Sequence, residues 1–124
     1  MNRQAIIAEV EKLGRTPGVI SCALVDGQAG MIFHATGNRP DLEPLAEAAC
    51  DYWRLHQRGA ALYEGLGAMI GIVVLHEEGV INVLACASDA VLVTLAERNR
   101  VSFSTWPDQL GTLRKLLDGT NTTA

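Results

Sequence analysis

The residues best equipped for chemistry in this chain are three cysteines, three histidines and a row of carboxylates, and their spacing limits what they can do. Cys22, Cys50 and Cys86 are odd in number, widely separated and without a CxxC pair. That fits neither a disulfide framework nor a zinc site. Cys22 and Cys86 lie in apolar runs, where a free thiol behaves as a small hydrophobe. No basic residue adjoins any of the cysteines in sequence to favour a reactive thiolate. His34, His56 and His76 show no HxH or HExxH spacing, so no shared metal is indicated. Glu43, Glu47 and Asp51 recur at i, i+4 and i+8, which reads as a solvated helix face rather than paired catalytic carboxylates. Ser21 and Ser88 have no nucleophile-elbow context. Gly65, Gly67 and Gly71 form no GxxxxGK[ST] loop, and they read as close backbone approach along a strand rather than a phosphate cradle. The expectation is a chain with no catalytic residues, no cofactor and no metal.

Composition narrows the class further. The 124 residues make one domain, expected over residues 1–119 with a polar tail at 120–124. A chain of this size buries roughly two-thirds of the surface its unfolded form exposes, so it needs no staples. Ten Lys and Arg against fourteen Asp and Glu give a net charge of −4, and no stretch collects the basic residues. Nucleic acid and anionic membrane are therefore disfavoured as partners. Met1–Gln4 leads into an amphipathic segment rather than a signal-peptide core, which gives the expectation of a cytoplasmic protein.

The elements that must position these residues follow from periodicity. Ile6, Ile7, Val10 and Leu13 mark an amphipathic helix over Arg3–Leu13, with Gly14 as its stop. Gly18–Val25 and Met31–Ala35 read as a hairpin around the turn residues Asp26–Gly30. Asp41 is placed to cap a helix from Leu42 to about Arg58. On its wheel Glu43, Glu47, Asp51, Arg54 and Arg58 fall within roughly 80°, and apolar residues occupy most of the rest. An ordinary surface helix buries a stripe little over ~100° wide. Trp53 reads as core. Ala48, Tyr52 and Leu55 lie at the margin, where core packing and an interface fit Tyr52 and Leu55 about equally.

The run Ala68–Leu75 is apolar or Gly throughout, and eight residues is far short of the ~20 a membrane span needs. Without alternation it predicts the longest strand, covered on both faces. Val80–Ala87 and Val91–Ala96 complete a meander through a turn at Ser88-Asp89, and a polar connection from Glu97 to Thr105 carries Arg98, Arg100 and Phe103. Leu110, Leu113, Leu116 and Leu117 define a last helix beginning at Trp106. The order is α-β-β-α-β-β-β-α, an α/β chain (α+β sandwich) with a five-stranded, mainly antiparallel sheet and helices on both faces.

The pattern Leu13-x-x-x-Pro17-Gly18-Val19-x-x-x-x-Leu24-Val25-Asp26, the Leu66-Gly67 pair, the meander and the leucine-rich end resemble the Roadblock/dynein light-chain domain, of profilin-like architecture. The resemblance runs from about Arg3 to Leu117. It implies a non-catalytic scaffold or regulator of a small Ras-like GTPase, working as a homodimer. It also implies that the strand Ala68–Leu75 pairs with its copy and that the Leu42–Arg58 helices lie side by side. Ala68, Ile70, Ile72 and Val74 with Leu45, Ala48 and Tyr52 are then the expected dimer contacts. Glu43, Glu47, Asp51, Arg54, Leu55 and Arg58 are the expected partner-binding residues. The rival reading is a small-ligand sensor of profilin-like or PAS-like type, with a pocket between sheet and helix.

Overall fold

Helix α1 (Arg3–Gly14) begins where the Asn2 side chain accepts the Ala5 N–H at 3.0 Å, satisfying one of the orphan donors of the first turn. In the computed structural model, which describes residues 2–87, 89–101 and 106–119, the helix runs one residue past its expected stop. Its apolar positions Ile6, Val10 and Leu13 are buried. Strands β1 (Val19–Asp26) and β2 (Ile32–Gly37) pair antiparallel. Asp26 shapes their turn, its Oδ1 accepting the N–H groups of Gln28 and Ala29 at 2.9 and 3.2 Å. Helix α2 (Leu42–Arg58) then crosses beneath the sheet. A one-turn helix α3 (Ala60–Tyr63) and a 3₁₀ turn (Glu64–Leu66), neither of them expected from the sequence, lead into β3 (Gly71–Leu75). Strands β4 (Gly79–Ala87) and β5 (Ala90–Glu97) follow. The last helix is divided into α4 (Trp106–Gln109) and α5 (Gly111–Gly119).

The five strands are ordered β2-β1-β5-β4-β3, and every neighbouring pair is antiparallel. β5 is inserted between the hairpin and the rest of the meander, which explains why almost all of it is buried. One face of the sheet packs Cys22, Leu24, Leu84 and Leu92 against α1, Trp106 and α5. The other packs Ala23, Val25, Val83, Val91 and Val93 against Ala46, Ala49, Cys50 and Trp53 of α2. Helices therefore cover both faces, as the sequence order implies.

Two expectations are overturned. The run Ala68–Leu75 does not form the longest strand: β3 has five residues and β4 has nine. Nor is it covered on both faces, because it ends the sheet, and Val73 and Leu75 remain 50% and 65% exposed. The strand starts late for a local reason. Ile70 still offers its carbonyl to the Ala85 N–H at 3.0 Å, but the Ala85 carbonyl accepts from Arg114 Nη2 at 3.0 Å. Gly71, the first residue of the strand, lies close to β4: a Cβ there would meet Leu84 Cδ2 at 2.6 Å and the Val83 carbonyl at 3.0 Å. The second correction is at Asp41, which gives α2 no side-chain cap. Its carboxylate is held by Arg39 through Nε at 2.7 Å and Nη2 at 2.6 Å, which also keeps it below the usual carboxylate pKa. The expected turn residue Ser88, the Phe103 position and the 120–124 tail lie outside the described residues.

Two features of the fold generate predictions. Asn82 is fully buried on the α1/α5 face, between Val73 of β3 and Thr94 of β5, and neither its amide nitrogen nor its oxygen has a hydrogen-bond partner among the described residues. A buried amide left unpaired costs roughly 1–3 kcal/mol. Asn82→Val should therefore raise stability by about 1 kcal/mol or more, read as a higher denaturant midpoint at unchanged m-value; a lower midpoint would refute the argument. His34 Nε2 lies 3.0 Å from Glu11 Oε2, joining β2 to α1. This hydrogen bond holds the Glu11 carboxyl below its ordinary value of 4.5. A depressed carboxylate contributes stability above its unfolded pKa, and loses it as pH falls through the folded value. Glu11→Gln should flatten the acid limb of the stability–pH curve below about pH 4.5 and leave its alkaline limb unchanged.

Candidate functional site

The helix that buries Ala46, Ala49, Cys50 and Trp53 cannot bury its remaining apolar residues against the same sheet face. Tyr52 and Leu55 are 41% and 59% exposed, and Ala48 is exposed beside them. The surplus apolar arc read from the sequence is thus a real surface. It continues onto the chain that follows. Leu62 and Leu66 are both 84% exposed, Tyr63 is open, and Ile70, Val73 and Leu75 line the free edge of β3. Ile72 and Val74 of that strand are half-buried, and Ile72 packs toward α2. An apolar band therefore spans α2, α3 and the α2 side of β3 at Ile72, while Val73 and Leu75 carry the exposed apolar edge onto the opposite face of the sheet. Tyr52, Leu55, Tyr63 and Ile72 line a cleft within it, beside His56 and Arg58. The His56 ring stacks on Tyr63, with centroids 4.8 Å apart and planes at 17°.

The expected dimer contacts Ala68, Ile70, Ile72 and Val74 all fall on or just before β3, and Leu45, Ala48 and Tyr52 fall on α2. Val73 and Leu75 were not among them, yet within β3 they are more exposed than Ile72 and Val74. An apolar run without alternation does not announce which parity faces the core. Leu62, Tyr63 and Leu66 were also missed. Their local sequence, AALYEGL, carries no sign of being left uncovered.

The charged side of α2 is organised differently from a loose rim. Arg54 Nη1 donates to the carbonyls of Gly27 and Gln28 at 3.2 and 2.9 Å. Its Nη2 donates to Glu47 at 2.9 Å and to Asp51 at 2.6 Å. The guanidinium thus clamps α2 to the β1–β2 turn, and the Asp51 bond first and then the Glu47 bond raise its pKa further. Gly30, at φ +74°, leaves room for Glu47, since a Cβ would fall on that carboxylate. Glu43 and Arg58 of the same row are exposed and make no ion pair among the described residues.

The residues that invited a catalytic reading are dispersed. Cys22, Cys50 and Cys86 are free and buried. Burial pushes the Cys22 and Cys86 thiols up to about 12, which keeps them protonated. Ser21 is buried in β1. Among the described residues no three His, Cys, Asp or Glu side chains converge to hold a metal ion, and no helix is long and apolar enough to cross a membrane.

Five strands in this order, with α2 on one face and the terminal helices on the other, match known structures along nearly the whole chain. A Roadblock/LC7 domain from Streptomyces avermitilis superposes with a TM-score of 0.74 at 20% identity, covering 95% of this chain and 96% of that one. The chain has the Roadblock/LC7 fold. The gliding protein MglB from Thermus thermophilus superposes at 0.79 with 17% identity, covering 94% of this chain and 91% of its own. Myxococcus xanthus MglB superposes at 0.76 with 14% identity over 95% and 91%. No family model and no curated protein matches the sequence, so the likeness is one of structure.

The Arg54 clamp carries a prediction. Arg54→Met keeps much of the stem but removes every donor, so the melting temperature should fall and the Gln28 and Ala29 amides should exchange faster. A variant with unchanged turn exchange would show that the clamp does not hold the turn.

Proposed function

We propose that the chain is a non-catalytic regulator or tether of a small Ras-like GTPase, and that it works as a homodimer built on β3 and α2. The observation that carries this reading is the apolar band across the free β3 edge and the outer side of α2. Soluble proteins blunt sheet edges with charges, Pro or a covering element. Gly71–Leu75 carries neither charge nor Pro, and its Val73 and Leu75 are exposed. Pairing with a second copy satisfies the edge backbone and covers these side chains together. The Roadblock/LC7 fold supports the same arrangement, because the resemblance implies dimers of this kind.

Two α2 helices side by side would form a composite surface for one GTPase astride the two-fold axis. Leu55 supplies an exposed apolar contact, flanked by the exposed charges of Glu43 and Arg58. Glu47, Asp51 and Arg54 enter as a prearranged network, since their charges already face one another. Because a Ras-like partner remodels its switch loops on hydrolysis, binding favours one nucleotide state.

Light scattering at micromolar concentration should give twice the 13.3 kDa chain mass. Val73→Lys, at an exposed position in the middle of the edge, should return it to one chain with the fold intact. A monomeric unmutated protein ends the dimer reading. The immobilised dimer should retain a small GTPase, identified by mass spectrometry, from one of two lysate pools loaded with GTP or GDP. Glu43→Arg combined with Arg58→Glu should abolish that retention at unchanged dimer mass. Retention by the double variant places the partner elsewhere.

A further inference from the structure

On the face opposite α2, the β1–β2 turn, the β4–β5 turn and the C-terminal end of α5 leave a cleft of about 370 Å³. That volume falls in the ~300–1,000 Å³ range of small-molecule sites. Leu24, Phe33, Ala90 and Leu117 give it apolar walls, and the exposed residues Asp26 and Asp89 also line it. None of these residues belongs to the α2 and β3 surface described above, so the cleft requires an account of its own.

The acids define which ligand suits it. Asp26 uses Oδ1 for the Gln28 and Ala29 amides, and Asp89 uses Oδ1 for Gln28 Nε2 at 3.3 Å. Neither Oδ2 has a partner among the described residues, and neither carboxylate takes part in the ion pairs found there. Asp118 follows Leu117 in a last helical turn that holds no basic residue. The carbonyl end of a helix adds further negative potential at that point. Two cations border this region. Arg54 is committed to the carbonyls of Gly27 and Gln28 from the α2 side. Arg3 lies over the Phe33 ring, 4.8 Å from its centroid, which shows that this aromatic wall accepts a cation.

An apolar anion would be repelled here, and a neutral apolar molecule would cover the carboxylates without replacing their water. A molecule with a hydrocarbon body and a single ammonium group satisfies both halves of the site. We propose that the cleft binds a small amphipathic organic cation, a primary amine on an aromatic or short aliphatic body. Its body lies against Leu24, Phe33 and Leu117, and its ammonium group is received by Asp26 and Asp89.

The test is an amide-shift titration of the full ¹⁵N-labelled chain with 2-phenylethylamine, and with 2-phenylethanol as the uncharged counterpart. The amine should shift Leu24, Phe33 and Ala90 in a saturable way, and should bind at least about fivefold more tightly than the alcohol. Ala90→Leu, which extends a side chain into the cleft, should abolish those shifts. Asp89→Asn, at an exposed turn where the fold is little at risk, should weaken amine binding and leave alcohol binding unchanged. Equal affinity for amine and alcohol overturns the proposal, as do shifts confined to other residues or full amine affinity in Asp89→Asn. The absence of any saturable shift overturns it too.

Discussion

The pairing of β5 with β1 is the contact on which the rest of this structure depends. It joins an N-terminal hairpin to a C-terminal meander, with Asp26 opposite Ala90 at one end and Val19 opposite Ala96 at the other. Both faces of β5 are consequently buried, and its side chains enter both cores. The same insertion drives β2 and β3 to opposite edges of the sheet. A single helix must then carry the chain from one edge to the other. That gives α2 its position across one face, and it leaves the β3 edge with no strand to pair.

α2 is therefore used on two sides. Its small residues and Trp53 sit on the sheet, where Ala and Cys let the helix approach closely. Its charged side is tied to the β1–β2 turn by the Arg54 guanidinium. What remains is the strip at Ala48, Tyr52 and Leu55, which meets the β3 edge through the exposed α3 segment. An exposed apolar strip joined to an uncharged free sheet edge is the property expected of an association face. The opposite face differs in kind. There the terminal helices close the core, and a cleft near its turn end is lined in part by Asp26 and Asp89.

Periodicity and turn chemistry by themselves determined the order of elements and most of their bounds. Helical spacing marked α1 and α2, alternating turn residues marked the hairpin, and the leucine spacing marked the buried side of α5. These signals are local, since each depends on residues within a turn or two of one another. The excess apolar arc of α2 was legible for the same reason, and so was the core role of Trp53 and of the thiols.

The tertiary structure alone decided where each element stands and which side chains are already engaged. Strand order depends on contacts between residues far apart in sequence, so an apolar run could not reveal that β3 is a short edge strand. Arg54 looked like a free cation on a helix face, and Asp41 like a helix cap. Each instead found a better partner, supplied in one case by a turn on another element and in the other by the neighbouring Arg39. A charged group takes the geometry with most hydrogen bonds, and helix spacing cannot register a carbonyl brought in from elsewhere in the fold. The unpaired amide of Asn82 is the converse case. Its burial results from two neighbouring strands and the layer over them, none of which its own segment specifies.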